Sequence, residues 1–395
     1  MLTERQLFYN HVAQTSDEPI ALEIKTAEGI YLIDKDDKKY IDLIAGVSVS
    51  NLGHRNKNVV EAVKQQVDKY MHLMVYGEYI QSPQVEYAKL LTEQLPENFD
   101  NVYFANSGSE ANEGALKLAK RYTKRSEVIS FVNAYHGSTH GCLSILGNEY
   151  FKQAFRPLVP GVSFINFNNE DELKQITTKT ACVIVEPVQA EAGIITPENN
   201  YLQKIRKRCD ETGTLLIFDE IQTGFGRTGN LFAFETYNVK PDIFTIAKGM
   251  GGGMPIGAFV ANKKLMSVFK DNPVLGHITT FGGHPVSAAA ANATLKTLLD
   301  EKIIDDVNRK GELFRKLLTH KKIKSIRGVG LFLAVELDSY KQIRNLLDET
   351  IKAGLVFDWF IFNDNHFRIA PPLIITDEEI ELACKIILDC LERID

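Results

Sequence analysis

The chain has 395 residues, which suggests two domains and provides enough material for a large core. Hydrophobic residues make up 44% of the chain and charged residues 24%, proportions that are ordinary for a soluble globular protein. The net charge of −6 argues against nucleic acid or an anionic membrane as a partner, and no apolar run is long enough to span a bilayer.

The five cysteines are scattered without CxxC spacing, so the sequence indicates neither a disulfide framework nor a zinc site. The N-terminal residues Met-Leu-Thr-Glu-Arg-Gln carry an acid early and lack the apolar segment of a signal peptide. We therefore expect a cytoplasmic protein without a bound metal ion.

A short helix and then a β-hairpin are predicted within residues 1–50, where segments 29–34 and 39–44 flank an Asp36-Asp37 turn. An amphipathic helix is predicted at about residues 58–70, with an inward face made of Val59, Ala62, Val63 and Val67. The next helix is predicted to begin with Ser82 as N-cap and Pro83 in its first turn, with three residues facing inward: Val85, Leu90 and Leu91.

From about residue 101 the pattern changes to alternating strands and helices. Short apolar runs lie at 102–105, 128–132, 182–185, 215–218, 243–247 and 256–260, and helical stretches lie at 110–122 and 202–212. Near-continuous apolar runs joined by helices predict an α/β fold with a mostly parallel sheet covered on both faces. We expect a large domain at 51–285, a small C-terminal domain at 286–395, and an N-terminal segment 1–50 that packs with the small domain.

The stretch from 215 to 255 has an acid and a lysine at two strand ends. An apolar run stops at Asp219, and a second run delivers Lys248, which glycines follow at once. Such a pair suits a ring cofactor that needs a partner for its nitrogen and an amine for its aldehyde. Pyridoxal phosphate is a cofactor of this kind.

Two further strand ends could face that cofactor. Ser107 and Glu110 have capping-box spacing, and the free N–H groups of such a helix start bind phosphate, although an ordinary capped helix has the same pattern. Tyr135, followed by His136 and Gly137, could stack on a planar ring, because glycine allows close approach. The alternative for this second stretch is a loop with a packed tyrosine.

Two carboxylates, Glu186 and Glu191, follow the buried run 182–185. Each could be a surface charge, but a strand-end position in an α/β sheet favours a ligand-facing role for at least one. Residues 224–229 spell GxGxxG, which would suggest a nicotinamide dinucleotide site. The segment after it shows no long helical period and ends in Pro241, so we reject that interpretation.

Taken together, these stretches resemble the class III pyridoxal-phosphate aminotransferases of fold type I, a group with acetylornithine, ornithine, GABA and other ω-amino transaminases. The resemblance runs from residues 29–34 to residues 367–372. Its most specific parts are Asp219-Glu-Ile-Gln222, Lys248 before glycines, and Thr279-Thr-Phe-Gly-Gly283. It implies a mostly parallel central sheet with helices on both faces, a smaller α+β domain, and amino transfer to a 2-oxo acid such as 2-oxoglutarate or pyruvate.

The resemblance also implies roles for single residues around the cofactor. Lys248 would form an imine with its aldehyde and later carry a proton, and Asp219 would keep its ring nitrogen protonated. Five residues would complete the cofactor site: Gly108 and Ser109 as backbone donors to the phosphate, Tyr135 and Ile221 on the two ring faces, and Gln222 at the ring hydroxyl.

Three more residues would act at the substrate or across subunits. Arg368 would clamp the α-carboxylate, and Glu191 would pair with Arg368 when an ω-amine occupies the site. Thr280 would reach the phosphate in the neighbouring subunit, which implies a homodimer with shared active sites.

The residue after Tyr135-His136-Gly137 departs from part of the family. Acetylornithine, ornithine and GABA members carry arginine there for the far carboxylate of the donor, whereas this chain has Ser138, and members with broader ω-amine donors commonly have a small residue there. The N-terminal tyrosine of ornithine enzymes has no clear equivalent within residues 14–18. The donor therefore stays open, as do an aminomutase, a racemase of the same fold and a catalytically inactive cofactor-binding protein.

Overall fold

The computed structural model describes residues 2–395. Its thirteen helices are α1 (Glu4–His11), α2 (Ala45–Ser48), α3 (Lys57–Lys69), α4 (Ser82–Thr92), α5 (Gly108–Thr123), α6 (His140–Ser144), α7 (Tyr201–Thr212), α8 (Ala233–Thr236), α9 (Lys263–Met266), α10 (Pro285–Asp300), α11 (Val307–Leu317), α12 (Tyr340–Ala353) and α13 (Asp377–Leu391). In this part of the chain, no helix combines the length and apolar character needed to cross a membrane.

The fifteen strands of the described residues are β1 (Ile24–Glu28), β2 (Tyr31–Asp34), β3 (Lys39–Asp42), β4 (Asn101–Ala105), β5 (Glu127–Phe131), β6 (Val162–Ile165), β7 (Thr180–Val185), β8 (Leu215–Asp219), β9 (Ile243–Ile246), β10 (Gly257–Ala261), β11 (Ser325–Val329), β12 (Phe332–Glu336), β13 (Leu355–Val356), β14 (Trp359–Phe360) and β15 (Asn363–Ile369).

A seven-stranded sheet forms the centre of the molecule, in the order β4-β10-β9-β8-β7-β5-β6. The pairs among β5 to β9 are parallel, and β10 runs antiparallel to both β4 and β9. The predicted α/β fold with a mostly parallel sheet is therefore confirmed. The edge strand β6 carries no uninterrupted apolar run, which explains why the sequence pattern did not reveal it.

Side chains of the central strands alternate between two cores because successive residues of a strand point to opposite faces. On one face, Cys182 and Ile184 of β7 belong to the same hydrophobic cluster as Leu118 of α5. On the other face, Val183 and Leu202 of α7 belong to the larger cluster. Burial on both faces explains why these strands read as continuous apolar runs.

Two smaller sheets complete the fold, and the first of them joins the two ends of the chain. The N-terminal hairpin extends into a four-stranded sheet, β1-β2-β3-β13, in which β13 pairs in parallel with β3. The second sheet has the order β11-β12-β15-β14 and is antiparallel. Because β13 comes from residues 355–356, the N-terminal segment contacts the C-terminal part of the chain directly.

Three details of the predicted helices are wrong. Ser82 is already the first residue of α4, and the N-cap is Gln81, which makes no side-chain capping hydrogen bond. Val67 and Val85 are exposed rather than inward-facing, and the exposed fraction of Val85 is 53%. Leu91 is buried as expected. The helical period locates a face but does not show how much of it a neighbouring element covers.

The GxGxxG segment is a structural turn, and the helix after it, α8, has only four residues. Gly226 and Gly229 have left-handed φ angles of 94° and 91°, which glycine adopts without strain. Between them, the buried Arg227 donates to the carbonyls of Leu331 and Pro371 and to Asn51 Oδ1. This turn therefore joins distant parts of the chain, and it does not open the long helix that a dinucleotide-binding motif requires.

Candidate active site

A cavity of about 170 Å³ lies at the carboxyl ends of the central strands. Asp219 is the last residue of β8, Lys248 follows β9, and Glu186 follows β7. The carboxyl ends of neighbouring parallel strands meet at one edge of a sheet, and the N-terminus of α5 lies at the same edge. The lining is Ser107, Gly108, Ser109, Tyr135, His136, Gly137, Glu186, Val188, Asp219, Ile221, Gln222, Thr223 and Lys248.

The start of α5 gives the cavity a group of N–H donors. Ser107 is the N-cap, and its Oγ accepts from the N–H of Glu110 at 3.2 Å. The Glu110 carboxylate accepts from the N–H of Asn106 at 2.8 Å and not from that of the N-cap, so the predicted capping box is only half formed. The N–H groups of the first helical turn have no partner inside the helix. At Gly108 a β-carbon would lie 2.7 Å from Ile221 Cδ1, so a larger residue would displace the side chain of Ile221 from the cavity wall.

Asp219 is 4% exposed and is held by three donors. Oδ2 lies 2.7 Å from His136 Nδ1 and 2.8 Å from Asn112 Nδ2, while Oδ1 accepts from the N–H of Ile221 at 3.1 Å. Because an ionised carboxylate can only accept, His136 must carry its proton on Nδ1. Asn112 Oδ1 in turn accepts from Thr245 Oγ1 at 2.7 Å, which fixes the orientation of the amide.

Lys248 has an unusual backbone and an altered amine. Its backbone φ angle is +48°, in the left-handed region that residues other than glycine adopt only at an energetic cost. Burial lowers the pKa of its ammonium to about 8. A larger share of neutral amine makes this lysine a better nucleophile than a solvated one.

The loop that carries Tyr135 is tied to the carboxylate of Glu186. The N–H of Tyr135 donates to Glu186 Oε1 and that of Ala190 donates to Oε2, both at 3.0 Å. Burial raises the pKa of Glu186 to about 7. Gly137 has φ +121°, and a β-carbon there would collide with Ser109 Oγ. Tyr135 is thereby fixed beside the start of α5.

Glu191 and Arg368 form a buried ion pair next to the cavity. Arg368 Nη2 donates to both oxygens of Glu191 at 3.0 Å, and Gln222 Nε2 donates to Glu191 Oε1 at 3.0 Å. Burial disfavours the charge on Glu191, but Arg368 and Gln222 outweigh burial and lower the pKa of the carboxyl. Glu191 is therefore ionised at neutral pH.

The family model for class III aminotransferases matches residues 12–391 of this chain. The acetylornithine aminotransferase of Clostridium acetobutylicum is 41% identical over 371 residues, which cover 90% of this chain and 92% of that relative. The chain belongs to the class III aminotransferase family. Family membership makes it a pyridoxal-phosphate-dependent transaminase.

Solved structures of transaminases share this fold. The ornithine aminotransferase of Toxoplasma gondii has a TM-score of 0.91 and 30% identity, covering 100% of this chain and 96% of that one. A transaminase from a marine Virgibacillus has a TM-score of 0.92 and 26% identity, covering 99% and 98% of the two chains. The fold type I prediction is thus confirmed.

The residues of the cavity fit pyridoxal phosphate. The N–H groups at the start of α5 suit a phosphate, both as hydrogen-bond donors and because of the helix dipole. The buried carboxylate of Asp219 suits a protonated ring nitrogen. Lys248 supplies an amine of lowered pKa for the aldehyde. These three groups line a single cavity, as the cofactor requires.

The structure brings most of the residues predicted for the site together. Seven of them line the cavity: Gly108, Ser109, Tyr135, Asp219, Ile221, Gln222 and Lys248. Glu191 and Arg368 reach it through their contacts with Gln222. Thr280 is exposed and does not line the cavity of its own chain, which is compatible with the predicted role in a neighbouring subunit.

Sequence reasoning gave no role to Asn112 or to His136, although both contact Asp219. Asn112 belongs to the same motif as Ser107 and sits on the first turns of α5 that face the sheet. A buried polar residue at such a position needs hydrogen-bond partners, and this need was the available signal.

Proposed function

We propose that this transaminase moves the amino group of an ω-amine donor to a 2-oxo acid in the cavity at the ends of β7, β8 and β9. The observation that carries the proposal is the convergence of Lys248, Asp219 and the free N–H groups of α5 in one cavity. Bound pyridoxal phosphate supplies an electron sink for the electrons of the carbon–hydrogen bond that is broken.

Asp219, held by three donors, would keep the ring nitrogen protonated, because an adjacent carboxylate favours the cation. Gly108 and Ser109 would donate their N–H groups to the phosphate. Tyr135 and Ile221 would bracket the ring. Gln222 has one N–H bonded to Glu191, and the second N–H of its amide would serve the ring hydroxyl.

Lys248 would hold the cofactor through its amine until a substrate amine replaces it. The released Nζ would then carry the proton from the substrate carbon that bears the amino group to the former aldehyde carbon of the cofactor, and in the opposite direction in the second half-reaction. A pKa near 8 suits this task, because such an amine both takes up and gives off a proton near neutral pH.

The ion pair of Glu191 and Arg368 would let one site serve two kinds of substrate. A 2-oxo acid brings a carboxylate that suits the guanidinium of Arg368. An ω-amine brings methylene groups to the same place, and Glu191 then neutralises Arg368, as it does in this structure. A buried arginine without a partner would be strongly unfavourable.

Ser138 and its surroundings support a donor whose far end carries no carboxylate. Ser138 Oγ lies 3.1 Å from Tyr135 Oη, and no arginine of residues 2–395 lines the cavity directly, because Arg368 reaches it only through Gln222. The rings of Tyr135, Phe362 and Phe151 follow one another at centroid distances of 6.5 and 5.3 Å. An aromatic row of this kind favours apolar over anionic groups.

A donor panel tests this substrate class with 2-oxoglutarate as acceptor. Hexylamine should be used at least as efficiently as ε-aminocaproate, which differs from it only by the far carboxylate. Ser138→Arg should shift the ratio toward ε-aminocaproate by about tenfold or more, because a hydrogen bond to a charged group contributes about 1.5–3 kcal/mol.

The relative from Clostridium acetobutylicum favours N-acetylornithine as the second candidate donor, because 41% identity extends over 90% of this chain. This donor belongs in the same panel. A strong preference of the unchanged enzyme for N-acetylornithine over hexylamine would contradict the proposal that the donor lacks a carboxylate at its far end. It would leave the transaminase chemistry intact.

The surface around Thr280 supports a homodimer with shared active sites. A groove of about 570 Å³ lies here, and Ile80 on its wall is 96% exposed. Val274, Leu275 and Ile278 add further exposed apolar surface beside it. Contiguous apolar surface of this kind marks a protein contact, and a second copy of the chain would bring Thr280 to the partner's phosphate. The five unpaired, buried cysteines support a cytoplasmic location.

Thr280→Ala should weaken cofactor retention by roughly tenfold, because the phosphate would lose a hydrogen bond to a charged group. The dissociation constant can be measured by titrating cofactor into the freed protein at a concentration at which the dimer persists. Thr319→Ala, on an exposed loop elsewhere, serves as the control. A fully active monomer in dilute solution would contradict the shared site.

A further inference from the structure

The residue before β14 lies directly opposite the arginine that we assign to the substrate carboxylate. The strands β14 and β15 form an antiparallel hairpin, with Trp359 paired to Phe367. Across this hairpin the N–H of Arg368 donates to the carbonyl of Asp358 at 2.8 Å. The two side chains therefore leave the backbone at adjacent points of the sheet.

The guanidinium of Arg368 has a different neighbour at each nitrogen. Nη2 is bonded to Glu191, and Nη1 donates to Gln222 Oε1 at 3.4 Å. Nε lies 3.3 Å from Asp358 Oδ1, and the two atoms are not aligned as a hydrogen bond. The ring of Phe360 lies 4.7 Å from the guanidinium carbon. Asp358 therefore acts on Arg368 through charge rather than through a directed hydrogen bond.

The exchange of Glu191 for a substrate carboxylate passes through an unfavourable stage. A carboxylate that binds Nη1 and Nη2 in bidentate fashion has to replace both Glu191 and Gln222. Arg368 is only 1% exposed, so water cannot neutralise it while Glu191 has left and the substrate has not yet bound. A buried charge without a partner is strongly unfavourable. A carboxylate bound to Nη1 and Nη2 would not displace Asp358, which lies on the Nε side.

We propose that Asp358 is a positioning residue, a permanent counter-ion that keeps Arg368 neutralised and oriented while Glu191 and the substrate carboxylate exchange. This inference rests on the proposed function of Arg368 as the carboxylate clamp. It predicts that Asp358 affects the association of the 2-oxo acid. The reaction with an ω-amine that has no carboxylate should be unaffected, because Glu191 stays bonded to Arg368 in that half-reaction.

The charge state of Asp358 adds a pH readout. Burial raises the pKa of its carboxyl to about 6, so Asp358 is mainly ionised at neutral pH and becomes protonated below about pH 6. The charged groups that face it are the cations Arg368 and Lys248 and the carboxylates Glu191 and Asp42. Asp358→Asn imitates the protonated form at every pH. Dividing the rate constant of Asp358→Asn by that of the unchanged enzyme at each pH cancels the effects of all groups that titrate in both enzymes.

The test compares the two half-reactions of the holoenzyme by rapid mixing. After the enzyme has taken up an amino group from the donor, this aminated enzyme reacts with 2-oxoglutarate. For Asp358→Asn, the second-order rate constant of that reaction should fall by about tenfold at pH 8, because the negative charge of Asp358 is missing while Glu191 and the substrate carboxylate exchange. The reaction with hexylamine should stay within about twofold of the unchanged enzyme. As the pH falls through 6, the difference in the 2-oxoglutarate reaction should disappear.

Asp364→Asn, an exposed aspartate on the same hairpin, is the matched control and should change neither half-reaction. If Asp358→Asn lowered the rate constants of both half-reactions equally, Asp358 would have a merely structural role. An unchanged reaction with 2-oxoglutarate would exclude the counter-ion role. Both results overturn the inference. If Arg368→Ala itself leaves the reaction with 2-oxoglutarate intact, the clamp assignment of the proposed function fails instead.

Discussion

Replacing Lys248 by alanine should abolish transamination and the yellow colour of the lysine-bound cofactor together. Lys248 is the amine that lines the cavity beside Asp219, and our proposal gives it both the covalent attachment and the proton transfer. Proton transfer by a positioned side chain alone contributes about 10²–10⁴-fold, so turnover should fall by at least about 10³-fold. Steady-state rates and visible absorbance of the purified variant measure both effects.

A dead variant has to be separated from an unfolded one. Lys248→Ala should keep its quaternary state and still bind cofactor reversibly, because Asp219 and the start of α5 are unchanged. Lys385→Ala removes an exposed lysine from α13 and serves as the control. If Lys248→Ala retained normal activity, the assignment of the cofactor lysine would be refuted.

The strand-end residues of the site could be predicted because local sequence determines them. Asp219 and Lys248 each stand at the end of an apolar run, and parallel strands bring such ends to one edge of the sheet. The helix start after Ser107 could be recognised from its capping pattern, whereas the role of Gly108 at the phosphate came from the family resemblance. The strand ends and the helix start depend on a few neighbouring residues and on one topological rule, so the sequence alone is sufficient to predict them.

Contacts between distant segments could not be predicted in this way. The ion pair of Asp358 with Arg368 depends on the register of β14 and β15, and the bonds of Arg227 depend on how three separate segments meet. The resemblance to a family supplied the pair of Glu191 and Arg368, which no local pattern indicates. The prediction that Val85 faces inward was wrong for a related reason. Its side of the helix lines the groove where we propose that a second copy binds.

Arg368 and Glu191 should have opposite effects on the two half-reactions. Arg368→Ala should slow the reaction of the aminated enzyme with 2-oxoglutarate by about 10²–10⁴-fold, because two charge-assisted hydrogen bonds of about 1.5–3 kcal/mol each are lost. The reaction with hexylamine should suffer far less, because this donor has no carboxylate for Arg368. Single-turnover absorbance changes follow each half separately.

Glu191→Gln should show the reverse pattern. The amide keeps the shape of Glu191 but removes its charge, so Arg368 faces the methylene groups of an ω-amine with its main counter-ion gone. Breaking a buried pair costs about 3–5 kcal/mol, and because Asp358 and the remaining hydrogen bonds offset part of this, we expect about a 10–100-fold loss with hexylamine. Binding of 2-oxoglutarate should be unchanged or tighter, because the carboxylate no longer competes with a charged side chain.

The two variants together distinguish a switch from a general defect. Lys341→Ala, an exposed substitution at the start of α12, shows the effect of a change outside the site. The pKa of Glu191 is lowered, so its carboxylate stays ionised near neutral pH and protonation cannot imitate the amide there. Equal losses in both halves for both variants would therefore refute the switch, and the enzyme would then be a transaminase of α-amino acids that uses Arg368 in both directions.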